Sequence, residues 1–222
     1  MQIINAKKYS IYISNTVLFK LKHFREIVLF NCCEGFQSYI FFKHIKMNNL
    51  SKIIITDLHI NNIAGLLGLL SSLNSIGRIK ELHIYGPEGL SAYLELGKKY
   101  SHTNFGYTVY IHILSHGLII NYSKYRIYTI ENYSHFDFIV IAAEVPGTFI
   151  SQKARNHFLY PGPLYSKLKK GSNFILPDGI SLTGQRFTNR NYQGKKIIFI
   201  SNRYYSRKSI QNSLKSMLLF YK

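Results

Sequence analysis

The stretch 53-IIITDLHINN-62, followed at once by 63-IAGLLGLLSSL-73, decides the fold. Ile53, Ile54 and Ile55 make a short continuous apolar run, the mark of a strand covered on both faces. Asp57, His59, Asn61 and Asn62 then predict a polar loop. A helix opens near Asn62 and runs through AGLLGLLSSL. An α/β chain puts its chemistry in loops of this kind, outside the carboxyl end of its sheet.

Outward from this stretch the elements keep alternating. Short strands are expected at 11–14, 16–22 and 26–30, after an opening strand and turn. Gly35 marks a strand-to-helix turn. Residues 38–47 predict a helix with Tyr39, Ile40, Phe42, Ile45 and Met47 available for packing. A strand over 79–85 is punctuated by Gly86-Pro87 before a helix through Lys99. Strands follow at 107–114, 117–122, 125–131 and 136–143. The segment 144–184 is richer in Pro and Gly and carries Lys167, Lys169 and Lys170. A buried strand at 195–200, a helix from a Ser206 cap through Lys215, and a last strand in MLLFY complete the chain. No linker, low-complexity tract or repeat argues for independent domains.

Several of these stretches resemble ribonuclease Z, the metallo-β-lactamase-superfamily endonuclease that trims transfer-RNA precursors at their 3′ end. LFNCCEGFQ at 29–37 resembles the family form LFDCGEGTQ, and AGLLGLLSS resembles GLPGLLSS. LHIYGPEGL at 82–90 resembles IYGPxG, while EVPGTF at 144–149 and YPGPLYSKLKKG at 160–171 are similar to the arm of short bacterial-type enzymes. The matches fall in order across 15–202. The resemblance implies an α/β, metallo-β-lactamase-like αββα sandwich, truncated in its second half, as a single domain over 1–222 with a basic arm at about 144–184. Of the family's Gly-rich opening and Pro-x-Lys-x-Arg-Asn segment, only Asn15 has a counterpart.

The resemblance also shows what has changed. The family holds two zinc ions with a His-x-His-x-Asp-His loop and later His and Asp residues. Here the first loop histidine becomes Asp57, the second is His59, the aspartate (ligand and general base) becomes Asn61, and the last histidine becomes Asn62. Counting back from Pro146-Gly147 puts Glu131 at a further histidine position, and the bridging aspartate falls on Asn202. The last zinc histidine would lie beyond Lys222. An amide oxygen is a weak, neutral ligand and cannot act as a general base, so no zinc and no catalytic residue are expected. Asp57, His59 and Glu131 could converge on one metal ion; against that, three scattered residues are a weak motif. His23, His44, His83, His102, His112, His116, His135 and His157 show no ligand spacing, with His83 and His112 read as packed or surface strand residues. No Ser-His-Asp or Cys-His arrangement replaces the lost chemistry.

The arm resembles its family counterpart better than the metal loop does. The resemblance implies that Tyr160, Pro161, Gly162, Pro163, Leu164, Tyr165, Lys167, Lys169 and Lys170 grip transfer RNA. Prolines limit chain entropy, Tyr160 and Tyr165 could stack, and lysines displace counterions. A solvated basic loop is the plain alternative.

Composition fits such a partner. The net charge is +18, from 28 basic and 10 acidic residues, and attracts polyanions. An AT-rich gene would also write many Lys, Asn, Ile and Tyr codons. Together with the absence of Trp, this bias suggests a small genome, and degenerate relatives of this kind are known from red-algal plastids. Plastid location is therefore expected. Hydrophobic residues make up 46% of the chain, yet no apolar run has bilayer length. A soluble protein with no membrane partner is therefore expected, and because the opening residues lack a signal or transit pattern, it is expected to act where it is made. Cys32 and Cys33 are adjacent, and a disulfide between strand neighbours would be strained.

Three functions are in view: an inactive transfer-RNA binder, alone or as a homodimer or a heterodimer with an active ribonuclease Z; a weak nuclease with an altered metal site; and a vestigial structural partner.

Overall fold

The computed structural model describes residues 2–5, 15–21, 26–123, 125–132, 135–144, 146–191, 194–201, 207–214 and 216–221. The expected strand at 11–14, Ser206 and Lys215 lie outside these residues.

Strands β1 (Gln2–Asn5), β2 (Val17–Leu21), β3 (Glu26–Phe30), β4 (Leu50–Ile54), β5 (Leu82–Gly86) and β6 (Val109–Ile113) form one six-stranded sheet in that order. The first two pairings are antiparallel, and β3 to β6 run parallel. Parallel neighbours need crossovers, which helices supply. These are α1 (Phe36–Phe42), the short α2 (Ile60–Ile63) with α3 (Leu66–Ser75), and α4 (Leu90–Ser101). A second, five-stranded sheet has the order β13 (Met217–Tyr221), β12 (Lys196–Ser201), β9 (Phe136–Ala142), β8 (Tyr125–Glu131), β7 (Gly117–Tyr122). Its β12 and β13 are parallel, joined through α7 (Arg207–Asn212).

Alternation along each strand divides the core into layers. Leu18, Ile27, Leu29, Ile53 and Ile55 pack with Leu66, Leu69, Leu70 and Leu73 on the helical side of the first sheet. Their neighbours Val17, Phe19, Val28, Phe30 and Ile54 meet Ile127, Phe138, Val140 and Phe199 between the sheets. Phe30 is the hub, with ring centroids 5.1 Å from Phe19, 5.4 Å from Phe138 and 5.1 Å from Phe199. Burying such a ring is worth about 1.5–3 kcal/mol. Ile53, Ile54 and Ile55 are all fully buried, which is why this strand reads as an unbroken apolar run.

Two elements differ from expectation. The helix expected over 38–47 stops at Phe42; His44 turns to φ 49° and a 3₁₀ turn follows at Met47–Asn49. This leaves Phe42 78% exposed rather than packed. The helix after the polar loop is broken between α2 and α3, because Gly65 is pinned against the chain entering α1. A Cβ at Gly65 would lie 2.0 Å from the Cys33 carbonyl oxygen. Both cysteines carry free thiols.

Candidate functional site

The polar loop leaves the carboxyl end of β4, and its backbone is tied to both neighbouring strands. Asn31 donates its N–H to the Ile54 carbonyl at 2.8 Å, and Ile55 donates to that of Tyr85 at 2.8 Å. Asn31 takes a left-handed φ of 55°, which Asn tolerates better than most residues. That turn aims its side-chain oxygen at Thr56, whose N–H donates to it at 2.9 Å. The Thr56 hydroxyl lies 3.1 Å from the same oxygen and 3.3 Å from Asp57 Oδ2.

Asp57 is half-buried, and its carboxylate is already engaged. Oδ1 accepts from the His59 N–H at 2.8 Å and from Asn62 Nδ2 at 2.7 Å. Asn62 is fully buried; its oxygen accepts from Asn15 Nδ2 at 3.0 Å and its carbonyl from the Cys32 N–H at 2.7 Å. Asn15, Asn31, Thr56 and Asn62 thus form a connected buried network with half-buried Asp57 at its edge. A charge-assisted bond of the Asn62–Asp57 kind contributes more than a neutral one, about 1.5–3 kcal/mol. His59 is exposed and caps α2, its Nδ1 accepting from the Asn61 N–H at 3.3 Å. Asn61 itself is exposed.

These residues do not fit a pair of zinc ions. Asp57 already accepts from a hydroxyl, a backbone N–H and an amide, and the His59 Nδ1 lone pair is used in capping. Glu131 ends β8, exposed, with its N–H on His116 Nδ1 at 3.4 Å. Among the described residues no three of His, Cys, Asp and Glu come together as a metal group, so Asp57, His59 and Glu131 are not gathered into one. Asn202 lies outside the described residues.

A second buried polar group adjoins this loop and escaped the sequence reading. The Phe136 N–H donates to the Thr56 carbonyl at 3.2 Å, stitching the two sheets together. On either side, Asp137 is fully buried and His135 nearly so. Asn132 Nδ2 donates to Asp137 Oδ2 at 2.8 Å, and His135 Nε2 lies 3.8 Å from Asp137 Oδ1. A charged residue inside the apolar strand FDFIVIA was the available signal.

The basic segment is a closed excursion with its own small core. Its base is fastened where Asn189 donates to the Thr148 carbonyl at 3.0 Å and Ile150 to that of Phe187 at 2.7 Å. Beyond it come α5 (Ser151–Asn156), α6 (Pro163–Lys169), the hairpin β10 (Phe174–Ile175) and β11 (Ser181–Leu182), and a 3₁₀ turn at Gly184–Phe187. Ala154, Leu159, Leu168, Leu182 and Phe187 are buried together, with Leu164 packed against them. Pro163 opens α6, a position that needs no N–H. Tyr165, expected to stack on a base, is instead a packing residue: its hydroxyl donates to the Leu159 carbonyl at 2.6 Å and its ring lies 4.7 Å from Phe149. Tyr160 is 89% exposed, and Phe158, which the sequence reading passed over, is 90% exposed at a left-handed φ of 56°. Lys167, Lys169 and Lys170 are all exposed.

No protein-family model matches the chain. It is 36% identical to the ycf56 protein of Pyropia yezoensis over 197 residues, covering 87% of this chain and 74% of that one. It is 32% identical to ribonuclease Z of Acaryochloris marina over 202 residues, covering 90% of this chain but 64% of that enzyme. Among solved structures, the long form RNase Z from yeast superposes with a TM-score of 0.54 at 15% identity, over 95% of this chain and 31% of the other. The short form of human tRNase Z gives 0.51 at 22% identity, over 57% of each chain. The structures establish the metallo-β-lactamase fold. At 36% identity over 74% of the Pyropia yezoensis protein, this chain belongs to the ycf56 family, and it is homologous to ribonuclease Z at 32% identity.

Proposed function

We propose that this chain is a transfer-RNA-binding member of its family that no longer cleaves, and that it works in the plastid beside an active ribonuclease Z subunit. The observation that carries the reading is the contact between Asn62 and Asp57, in which a neutral amide is hydrogen-bonded to the loop's carboxylate. A carboxylate held by three donors offers little to a cation, and Asn61 cannot take a proton from water. The arm, in contrast, keeps a packed core under an exposed basic surface. Lysines of that kind release counterions from an RNA backbone. The ycf56 relatives from Pyropia yezoensis and Porphyra purpurea support the plastid assignment.

The test is one preparation assayed twice. Precursor transfer RNA should bind with an affinity that falls steeply with salt, and it should stay uncut with zinc or manganese supplied. Metal-stimulated 3′ trimming by the purified chain would replace this reading with that of a weak nuclease. Undetectable RNA binding would remove it altogether.

A further inference from the structure

The main chain of β6 has one side unused. Leu82 donates its N–H to the Thr108 carbonyl at 2.9 Å, and Leu114 donates to that of Gly86 at 2.8 Å, with an unbroken register between them. The two-residue period of a strand therefore turns the main chain of Thr108, Tyr110, His112 and Leu114 toward β5. Val109, Ile111 and Ile113 present their N–H and C=O groups outward, where among the described residues no strand pairs with them. Their side chains add apolar surface: Ile111 is exposed, and Ile113 is 68% exposed.

Proteins usually protect such an edge with lysine, proline or a bulge. The edge strand β7 of the second sheet has a register shift between Leu118 and Ile120. β6 has none of these devices, and no Lys, Arg, Asp or Glu occurs from Tyr100 to Ser123. The strand is also held in place. Tyr110 stacks on His83 at 5.1 Å and Tyr85 on His112 at 4.6 Å, while His83 Nδ1 and His112 Nε2 share a hydrogen bond at 3.0 Å. An edge fixed in advance loses little freedom when another strand adds to it.

We infer that two copies of this chain pair through β6, antiparallel about a twofold axis at Ile111, so that their first sheets join into one. Charge selects the occupant. At a net charge of +18, two copies repel each other over most approaches. This uncharged edge lets them meet with no like charges opposed, and it offers a polyanion no cation. Burial, then His83, lowers the His112 pKa, which keeps that ring neutral at pH 7. With the axis at Ile111, every outward residue gains a partner. Ile111 faces Ile111 of the second copy and Val109 faces Ile113, each pair exchanging two N–H···O bonds. Tyr110 then stands opposite His112, an aromatic cross-strand pair. None of this rests on RNA binding.

Sedimentation velocity over a range of protein concentrations, in salt that screens the net charge, tests the pairing. The mass should rise from one chain to two and stop, because a twofold contact uses up both edges. Ile113→Lys, at a side chain already turned to solvent, should weaken dimerisation about tenfold, since the twofold repeats the change. Ile111→Cys should cross-link under mild oxidation, because directly opposed hydrogen-bonded residues have Cα atoms about 5.5 Å apart, within disulfide reach. Ile113→Cys is more exposed yet lies more than about 13 Å from its own copy, and should cross-link far less. Circular dichroism checks that each variant folds, and the wild-type masses stand on their own. A chain that stays monomeric, masses that climb past two, a dimer untouched by Ile113→Lys, or equal cross-linking at 111 and 113 would overturn the pairing.

Discussion

Asn62 Nδ2 lies 2.7 Å from Asp57 Oδ1, with Asn62 completely buried. One hydrogen bond therefore joins the first and last of the loop's four polar positions, Asp57 and Asn62. Asn62→Ala removes one of the three donors to the Asp57 carboxylate and an acceptor of the Asn15 amide. It should cost about 3 kcal/mol, read from urea unfolding.

Asn62→Asp separates charge from shape. Two carboxyl groups in that contact cannot both ionise cheaply, so the folded state raises the new group's pKa. As pH rises past about 3.9 the unfolded chain releases a proton that the folded chain keeps. Stability then falls by about 1.4 kcal/mol per pH unit until the folded pKa is passed. Urea midpoints between acid and neutral pH should drop for this variant relative to wild type; parallel curves would contradict the buried contact.

Gly65→Ala tests the break between α2 and α3. Its backbone is ordinary right-handed helix, so the penalty is the clash with the Cys33 carbonyl alone. A loss of about 3 kcal/mol is expected, as for severe overpacking. A thermal melt close to wild type would show that the chain there gives way easily.

Alkaline pH should unfold the protein cooperatively. Burial, then Cys33, pushes the Cys32 thiol well up. Burial pushes Tyr107 up to about 12 despite Arg78, and raises Tyr125, aided by Glu26. Each folded group keeps its proton while the unfolded chain gives it up, near pH 8.5 for Cys and about 10 for Tyr. Stability is thus intact below these values and declines above them, more steeply past about pH 10. Thiol labelling should mark half-buried Cys33 first and Cys32 only on unfolding.

Replacing Lys167, Lys169 and Lys170 with Ala should weaken RNA binding and lower the salt slope by about two to three. Phe158→Ala with Tyr160→Ala should lower affinity while leaving the slope unchanged, since stacking releases no counterions. Equal slopes for all variants would mean that the arm lysines do not meet the phosphate backbone.

Much of this architecture was readable because periodicity reports burial. The run Ile53–Ile54–Ile55 and the strands 117–122, 125–131 and 136–143 announce themselves by apolar pattern, and the structure has strands there. The 38–47 helix was overextended because apolar spacing continues past Phe42, whereas the backbone turns at His44. The chemistry of the loop was visible only as residue types. Nothing in TDLHINN says that Asn62 points inward and Asn61 outward, because that depends on where α2 begins. Tyr165 turns into the arm and Phe158 out of it for a like reason: both are aromatics in a basic segment, and only the fold of the arm decides which ring faces water.

The small core formed by Ala154, Leu159, Leu168, Leu182 and Phe187, fastened at Thr148 and Asn189, has an evolutionary corollary. None of these core residues belongs to the network around Asp57. Substitutions in the polar loop therefore leave the excursion's foldedness intact, and loop and excursion can diverge at different speeds.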